Sequence, residues 1–341
     1  MTTYTIQGAS GKSRLLFGVS LDDLSDYLAG RHCVIVTDEQ VYPLYRSRFP
    51  RAEVEVIGTG EGIKTMQTVE RLYQRFLDAG LDRSSCVVAI GGGIVSDIAG
   101  FAASTYLRGV SFGFVPTTLL AQVDASVGGK NGVNFQGYKN LIGTFTQPEF
   151  VLIDVSLLKT LPARTLGCGF AEAVKHGAIA DAALFAFMEA EAARIRALEP
   201  DAVERVVRDS VMIKSTIVNA DEKEHGERRK LNFGHTFGHA IEKTLGLPHG
   251  ESIAIGMTVA ARISRQRGLL SDADVNRLIA VLRAYALPTT IAAEKSAVKD
   301  ALKKDKKRYG DRVKFVLLEA IGRAVIEDVS LNELEQVVET L

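Results

Sequence analysis

The fold class of the first half of the chain is indicated most clearly by the stretch Cys86-Val87-Val88-Ala89-Ile90-Gly91-Gly92-Gly93-Ile94-Val95-Ser96-Asp97. Its apolar run predicts a buried β-strand, its glycines predict a sharp turn, and the periodic apolar residues that follow predict a helix. A strand, a tight turn and a helix in this order are typical of an α/β fold built on a parallel sheet.

Similar elements precede this stretch. Cys33-Val34-Ile35-Val36-Thr37 and Val54-Glu55-Val56-Ile57 are short strand-like runs, and residues 65–79 have helical periodicity. Strands that alternate with helices predict a parallel sheet with crossover connections, and nearly continuous apolar strands indicate burial on both faces.

The character of the chain changes after about residue 166. Helical periodicity covers residues 171–198, 201–219, 234–245, 252–266 and 272–285, and a strand pair (313–318 and 324–329) and a helix (331–341) follow. We therefore predict two domains. Residues 1–166 form a Rossmann-like, parallel-sheet α/β domain, and residues 167–341 form a mainly α-helical domain.

Composition excludes several classes of function. The 341 residues include 41 Lys plus Arg and 41 Asp plus Glu, so no net charge points to nucleic acid or to a membrane surface. Cys33, Cys86 and Cys168 are few, odd in number and widely spaced, which argues against a disulfide framework and fits a reducing cytosol. With neither a signal peptide nor a membrane-spanning run, we expect a cytoplasmic protein.

The glycine turn has two interpretations. Glycines let the backbone approach a diphosphate, and the helix N-terminus offers unpaired amide donors, but a tight turn alone also explains the three glycines. Asp38, after the first strand, is placed to bind ribose hydroxyls, and Glu61 and Lys64 follow the second strand. Each of these three taken alone is equally explained as a cap or a solvated charge.

Three of the six histidines fall close together in the second half. His235 and His239 are four residues apart and share one helix face, and His249 follows shortly after. Imidazoles grouped in this way indicate a catalytic metal site, since zinc prefers such ligands. The alternative is two histidines that pack between helices and a third in a surface loop.

A polar run over residues 115–140 mixes threonines, an aspartate, paired glycines, lysines and asparagines. Lys130 and Lys139 beside exposed backbone amides suit a phosphate or carboxylate ligand. The alternative is a turn-rich surface loop in which Asp124 caps a helix and the lysines are solvated.

Taken together, these segments closely resemble the 3-dehydroquinate synthases of the sugar-phosphate cyclase family. The matching motifs occur in that family's order and spacing from about residue 38 to about residue 318. They are Gly60-Glu61-x-x-Lys64, Gly91-Gly92-Gly93 with Asp97, Arg108-Gly109, Pro116-Thr117-Thr118-Leu119-Leu120, Asp124 to Lys130, Lys139-Asn140, Leu161-Pro162, Ala171-Glu172-x-x-Lys175, the histidine block, His249-Gly250-Glu251 and Asp305-Lys306-Lys307.

The resemblance implies two cofactors. Family members bind a divalent metal, usually Zn²⁺ with Co²⁺ as an alternative, through residues that match Glu172, His235 and His249, which leaves His239 to face the substrate. They also bind NAD, and the matching positions are Asp38, Glu61, Lys64, Gly92, Gly93, Asp97, Thr117, Thr118, Lys130, Lys139, Leu157, Leu158, Lys159 and Thr160.

The resemblance also implies a small phosphorylated keto-acid substrate, with neither nucleic acid nor membrane as a partner. Lys214, Arg228 and Asn232 match groups that hold a carboxylate, and Asp124, Lys130, Lys175 and His239 match catalytic groups around the reacting hydroxyls. The phosphate contacts match Arg108, Lys130, Asn140 and one of Lys306 and Lys307. Arg108 reaches across a dimer interface in the family, so we expect a homodimer.

The implied reaction converts 3-deoxy-D-arabino-heptulosonate 7-phosphate into 3-dehydroquinate and phosphate by transient oxidation, elimination, reduction and an intramolecular aldol step. Three rival functions remain: a cyclase for neutral sedoheptulose 7-phosphate, a metal-dependent polyol dehydrogenase and a non-catalytic NAD-binding protein. Gln40, Ser96 and Phe114 differ from residues frequent in the family, and none of them is a catalytic group.

Overall fold

Seven strands form the sheet of the first half of the chain in the order β1-β2-β9-β6-β5-β3-β4. The strands are β1 (Thr2–Gly8), β2 (Gly11–Phe17), β3 (Cys33–Asp38), β4 (Glu53–Ile57), β5 (Cys86–Gly91), β6 (Ser111–Pro116) and β9 (Phe150–Ile153). Only β1 and β2 pair antiparallel, and every other neighbouring pair in this sheet is parallel. The predicted parallel α/β architecture is confirmed.

The computed structural model describes residues 2–8, 10–291, 308–309 and 312–339. The chain divides into two compact units, Met1–Leu161 and Pro162–Leu341. Lys306 and Lys307, which the family resemblance assigns to the phosphate, lie outside the described residues. Among the helices that are described, none is long and apolar enough to cross a membrane.

Helices α1 (Leu24–Leu28), α2 (Val41–Tyr45), α3 (Met66–Asp78) and α4 (Gly93–Thr105) accompany the sheet. The hydroxyl of Thr65 caps α3 by accepting the Thr68 N–H at 3.3 Å, and α3 buries Val69, Leu72 and Phe76. Strand β5 is buried along its whole length, as its continuous apolar sequence predicts. Residues Glu61–Ile63 form a single 3-10 turn after β4, and the helix predicted over residues 65–79 begins at Met66.

The polar run of residues 115–140 is not a surface loop. After β6 the chain makes one π-helical turn, Ala121–Ala125, and then a hairpin of β7 (Lys130–Phe135) and β8 (Tyr138–Phe145). Gln122 is fully buried. Its side-chain amide nitrogen donates to the carbonyl oxygens of Pro116 (3.1 Å) and Asp154 (2.9 Å), which compensates for the loss of hydrogen bonds to water. Hydrogen bonds to two strand ends therefore order this segment.

The second unit is mainly helical. Its described helices are α5 (Ala163–Ala180), α6 (Ala182–Ala190), α7 (Ala192–Arg196), α8 (Pro200–Ala220), α9 (His235–Leu245), α10 (His249–Gln266), α11 (Asp272–Ala284) and α12 (Leu331–Glu339). A small antiparallel sheet joins them, composed of β10 (Arg308–Tyr309), β11 (Arg312–Ala320) and β12 (Arg323–Ser330). The paired strands near the end of the chain match the prediction.

The single helical stretch predicted over residues 171–198 is wrong. The helix begins earlier, at Ala163, and the chain is interrupted at Asp181 and again at Glu191. Asp181 is extended (φ −150°), and its carboxylate accepts the N–H groups of Ala183 (2.8 Å) and Leu184 (3.0 Å). An N-cap of this kind starts a new helix, which apolar periodicity alone does not detect.

Candidate active site

The close crossing of helices α9 and α10 sets the positions of two histidines. Gly256 on α10 lies so near α9 that a Cβ there would be 1.9 Å from the carbonyl oxygen of Gly234. Only glycine permits this approach. As a result, His235 and His249, the first residues of the two helices, have ring centroids 5.5 Å apart.

Helix α5 supplies a carboxylate to the same place. Glu172 is buried, and its Oε1 lies 3.6 Å from His235 Nε2 and 3.4 Å from His249 Nε2. Helix α5 reaches this position because Gly250 lets α10 pack on it: a Cβ at Gly250 would lie 2.3 Å from Cys168 Cα. The structure thus brings together the three residues that the family resemblance assigns to a metal.

The donor set suits zinc. One carboxylate oxygen and two imidazole nitrogens converge, all within 4.8 Å of one another. Zn²⁺ in catalytic sites commonly takes three such protein ligands and keeps one position for water or substrate. The residues present therefore fit a catalytic divalent metal ion.

Neighbouring groups orient these ligands. His235 Nδ1 lies 3.2 Å from the Phe233 carbonyl oxygen, and His249 Nδ1 lies 3.2 Å from Glu242 Oε2. Each ring therefore directs its other nitrogen, Nε2, toward Glu172. The ammonium of buried Lys175 donates to Glu172 Oε2 and so holds the second carboxylate oxygen.

The two imidazoles have opposite pKa shifts. Burial holds the pKa of His235 well below its ordinary value of 6.5. Burial also lowers the pKa of His249, but hydrogen bonds with Glu172 and Glu242 outweigh it and raise the pKa to about 9. A metal ion at this site must therefore compete with protons for the imidazole nitrogens.

His239 stands apart from this group. It is exposed, and its ring centroid lies 5.2 Å from that of His235 and 6.1 Å from that of His249. His239, Glu242 and His249 form a second group within 4.8 Å. The first group is the better metal site, because Glu172 faces both Nε2 atoms from a buried position while His249 Nδ1 is already occupied by Glu242.

Two buried cations lie elsewhere in this unit. Lys214 is buried on α8, and Arg228 is buried in the 3-10 turn Glu227–Asn232, which packs against α8. The amide of Asn232, at the end of this turn, donates to Glu224 Oε1 at 2.6 Å. Arg228 Nη1 donates to the Glu222 carbonyl oxygen at 2.5 Å. Lysine and arginine side chains placed in this way suit a carboxylate ligand, because hydrogen bonds between opposite charges are strong.

Asp221 shapes the turn that carries Arg228. Its carboxylate accepts the backbone N–H groups of His225 (2.9 Å), Gly226 (2.7 Å) and Arg228 (3.1 Å). Burial opposes ionisation of Asp221, yet these bonds leave its pKa below 3.8. Sequence reasoning missed both Asp221 and Glu242, because an acid near a helix end reads as an ordinary cap or surface charge.

The first unit contains the predicted diphosphate turn. Gly92 is the N-cap of α4, so the first amides of that helix lie just after β5. The neighbouring segment is close: a Cβ on Gly92 would lie 3.1 Å from Thr118 Cγ2, and the Thr117 N–H donates to the Gly91 carbonyl at 2.9 Å. Three predicted cofactor residues therefore surround one helix terminus, and a Cβ on the fourth, Gly93, would meet Ala125 at 3.0 Å.

Other predicted residues of this unit are linked in pairs. Buried Lys64 forms an ion pair with Asp97. Glu61 Oε1 accepts from the Asn134 amide at 2.7 Å, and Asn134 Oδ1 accepts the backbone N–H of Asn140 at 2.8 Å. Asn134 therefore links Glu61, a predicted cofactor contact, to Asn140, a predicted phosphate contact.

A further group of cofactor candidates lies near α2. Asp38 Oδ1 accepts the backbone N–H groups of Gln40 (2.9 Å) and Val41 (2.8 Å), so this carboxylate has a capping role. The hydroxyl of Tyr45 donates to the Leu157 carbonyl at 3.0 Å and lies 2.6 Å from Thr160 Oγ1. Leu157 and Leu158 are buried, whereas Lys159 and Thr160 are exposed.

Four further predicted side chains of the first unit are exposed: Arg108, Lys130, Lys139 and Asn140. Arg108 has left-handed backbone geometry (φ 67°), and so does Asn140 (φ 50°). Such conformations are uncommon outside glycine and are frequent at functional sites. Asp124, half-buried, lies in the π-helical turn, another feature frequent at functional sites.

Solved structures share this fold. The chain superposes on 2-deoxy-scyllo-inosose synthase complexed with carbaglucose-6-phosphate, NAD⁺ and Co²⁺ with a TM-score of 0.89 and 27% identity, covering 99% of this chain and 100% of that chain. ValA, the 2-epi-5-epi-valiolone synthase from Streptomyces hygroscopicus subsp. jinggangensis 5008 with NAD⁺ and Zn²⁺ bound, gives 0.88 and 31% identity, with 100% and 99% covered. The fold is that of the sugar-phosphate cyclases.

Sequence comparison identifies the family within this class of fold. Family models described as the 3-dehydroquinate synthase N-terminal and C-terminal regions match residues 54–168 and 169–308. The 3-dehydroquinate synthase of Halorhodospira halophila is 45% identical over 311 residues, which cover 89% of this chain and 88% of the relative. That of Geobacter metallireducens is 43% identical over 352 residues, with 99% and 95% covered. The chain belongs to the 3-dehydroquinate synthase family.

Proposed function

We propose that this protein is a 3-dehydroquinate synthase, a carbon–oxygen lyase (EC 4.2.3.4) of the shikimate pathway. It converts 3-deoxy-D-arabino-heptulosonate 7-phosphate into 3-dehydroquinate and phosphate, with NAD and a divalent metal as cofactors. The observation that carries the proposal is the convergence of Glu172, His235 and His249 in a member of this family. This geometry supports a catalytic metal site at the residues that the family pattern assigns to it.

We propose a division of labour along the chain, in which residues 1–166 bind NAD and residues 167–341 bind the metal and the substrate carboxylate. The amides at the start of α4, beside Gly92, would take the diphosphate. The Lys64–Asp97 pair and Glu61 would contact the rest of the cofactor. When bound beside these residues, NAD would supply reversible hydride transfer, and Zn²⁺ or Co²⁺ held by Glu172, His235 and His249 would supply polarisation of a substrate oxygen.

The residues of the chain itself would bind and orient the substrate. Lys214, Arg228 and Asn232 would hold the carboxylate end, and the burial of Lys214 and Arg228 strengthens that interaction by excluding water. Arg108, Lys130 and Asn140 would hold the phosphate. Lys175 orients the Glu172 carboxylate through their buried ion pair. Asp124, Lys130 and His239 would exchange protons with the reacting hydroxyls, and His239 is exposed enough for substrate to reach it.

The substrates of the two rival enzymes carry fewer negatively charged groups. A cyclase for sedoheptulose 7-phosphate binds a substrate without a carboxylate, whereas this chain has Lys214, Arg228 and Asn232 at the positions that match the family's carboxylate pocket. A probable glycerol dehydrogenase from Sinorhizobium meliloti shares the fold at a TM-score of 0.67 and 18% identity, a level that supports the fold alone. These points favour the carboxylate-bearing substrate.

A phosphate-release assay tests the proposal. The enzyme is supplied with Zn²⁺ or Co²⁺ and a trace of NAD, and the heptulosonate phosphate is compared with sedoheptulose 7-phosphate. We expect release from the heptulosonate phosphate at many turnovers per NAD, without accumulation of NADH. Release only from sedoheptulose 7-phosphate, or one NADH formed per turnover, contradicts the proposal.

The carboxylate pocket has its own variant. Arg228→Ala removes a buried charged hydrogen-bond donor. We expect kcat/KM for the heptulosonate phosphate to fall about 10- to 150-fold, which corresponds to a loss of about 1.5–3 kcal/mol of transition-state stabilisation. Arg208→Ala, an exposed arginine on α8, is the matched control and should leave kcat/KM unchanged. Equal kinetics for the two variants would refute the role of Arg228.

We also propose a cytoplasmic homodimer. Arg108 follows an exposed leucine, Leu107, and β8 exposes three large apolar side chains, those of Tyr138, Leu141 and Phe145. Apolar groups of this kind support a partner surface. Burial raises the pKa of the Cys86 thiol to about 12, and the three cysteines form no disulfide within the described residues, in keeping with a reducing compartment. Sedimentation at working concentration should give twice the monomer mass.

A further inference from the structure

We propose that Glu242 is a positioning residue of the metal site: its carboxylate holds the His249 ring so that Nε2 faces the metal. The inference rests on the metal site proposed above and adds a residue that the family motifs did not bring into it. It concerns metal affinity, which is measured without turnover.

The His249 ring lies between two carboxylates. Its Nδ1 is 3.2 Å from Glu242 Oε2, and its Nε2 is 3.4 Å from Glu172 Oε1. The Glu172 side chain is 1% exposed and that of Glu242 is 16% exposed. The two acids therefore contact different nitrogens of one imidazole, one from the buried side and the other nearer the surface.

Helix geometry accounts for the position of Glu242. On α9 it lies seven residues after His235, about two helical turns, and hence on the same face. Helix α9 ends at Leu245, and Gly246 (φ 64°) turns the chain back toward the start of α10. The last turn of α9 thus faces His249, the first residue of α10.

Hydrogen-bond chemistry gives this contact a function. A carboxylate can only accept, so the Glu242 contact requires the proton of the ring to be on Nδ1, which leaves the Nε2 lone pair for a metal. A carboxylate behind a ligating histidine also fixes the ring orientation and increases its basicity. His235 is oriented by a neutral backbone carbonyl instead, that of Phe233. Glu242 is accordingly the charged side chain that supports this half of the site.

Glu242 could instead be a ligand, because His239, Glu242 and His249 also lie within 4.8 Å of one another. A metal at that second group would exclude Glu172 and would use His249 Nδ1, the atom that faces Glu242. The two arrangements predict different results for a glutamine variant. The glutamine amide oxygen still accepts from Nδ1–H but is a poor substitute for a carboxylate ligand.

The experiment measures metal binding by the full-length apoprotein. Zn²⁺ affinity is obtained by competition with a chromophoric chelator, and Co²⁺ is titrated by its visible absorption, for the wild type, Glu242→Gln and Glu242→Ala. The control is Glu189→Gln, a change on α6, where Glu189 pairs with Arg277 on the surface. Circular dichroism verifies that each variant is folded.

We expect every variant to bind one metal ion per chain with the wild-type Co²⁺ band shape. Glu242→Ala should weaken affinity about 10- to 100-fold, Glu242→Gln should recover part of that loss, and the control should be unchanged. Excess metal should restore most of kcat in the alanine variant. If Glu242→Ala does not fold, the glutamine variant carries the test, with an expected affinity below that of the wild type and an unchanged band.

Three results overturn the inference. Wild-type affinity in Glu242→Ala, or in the glutamine variant if that one alone folds, removes any role in binding. A changed Co²⁺ band or loss of the ion in Glu242→Gln identifies Glu242 as a ligand. Failure of the wild type to bind metal removes the site itself. By contrast, a wild type that binds metal but releases no phosphate contradicts the proposed function and leaves the role of Glu242 standing.

Discussion

Single acidic residues organise the two parts of the second unit that we propose bind the metal and the substrate carboxylate. Glu172 faces two imidazoles, and Asp221 gathers three backbone N–H groups of the turn that carries Arg228. Asp221 contributes more than an exposed acid would, because it accepts three backbone N–H groups at once. At this scale the site depends on where acids are placed as much as on its cations.

Asp221→Asn should test this dependence through pH. The folded-state pKa of Asp221 lies below 3.8, so its stabilising effect is fully present above pH 4 and is lost as the pH falls through the folded-state pKa. We expect the variant to lose about 1–2 kcal/mol of unfolding free energy at pH 7, with the difference from wild type shrinking below pH 4. Urea denaturation across this range measures it.

The control for this change is Asp26→Asn, which removes the same charge from the exposed face of α1 and should leave stability unaltered. Because Asp221 shapes the Arg228 turn, the KM for the heptulosonate phosphate should also rise in Asp221→Asn. A stability difference that grew toward acid pH would contradict the assigned hydrogen bonds.

At the scale of elements, the crossing of α9 and α10 determines whether the histidines meet. The crossing depends on glycines: a Cβ on Gly256 would lie 1.9 Å from the Gly234 carbonyl, and one on Gly238 would lie 2.5 Å from Ile253 Cδ1. The first obstacle is backbone and cannot move aside. The nearest atom to the second is the end of a flexible side chain, and the nearest backbone atom, Ile253 Cα, would lie 3.1 Å away. The two glycines should therefore respond differently to substitution.

Gly256→Ala should push the helices apart and separate His235 from His249. We expect a loss of about 1–3 kcal/mol of unfolding free energy and at least a tenfold loss of Zn²⁺ affinity, with a smaller effect from Gly238→Ala. Gly167→Ala on α5 is the control, since its Cβ would meet Leu287 at an ordinary 3.7 Å. Chelator competition and urea denaturation measure both quantities. Tight metal binding by Gly256→Ala would show that the crossing does not set the site.

The sequence predicted some elements well and others poorly, for physical reasons. Strand β5 and its glycine turn were predictable because burial on both faces leaves a continuous apolar run. The break at Asp181 was not, because a cap interrupts a helix without changing its apolar period. Glu172 has no local signal of its own, since it sits in an ordinary helical pattern and meets the histidines only in the folded chain; the family resemblance alone indicated it.

At the scale of the whole molecule, a net charge of zero coexists with locally concentrated charge. Lys214 and Arg228 are buried in one unit, and the Lys64–Asp97 pair lies in the other. Each unit thus has its own polar site on its own elements. We therefore expect the two cofactors to protect different residues from hydrogen exchange. NAD should protect residues of the first unit, and the metal should protect residues of the second.

Hydrogen exchange of the full-length protein, with and without each ligand, measures this protection. At a free concentration of about 100 times Kd, a ligand adds about 2.7 kcal/mol to the openings that release it, which slows exchange there by about 100-fold. Zn²⁺ should give its largest new protection in the first turns of α9 and α10 and around Glu172. NAD should protect residues 91–97 most. Mg²⁺, which prefers oxygen ligands, is the control and should protect neither histidine helix. Strongest Zn²⁺ protection outside residues 162–341 would place the metal elsewhere, because only groups near the bound ion gain its full binding energy.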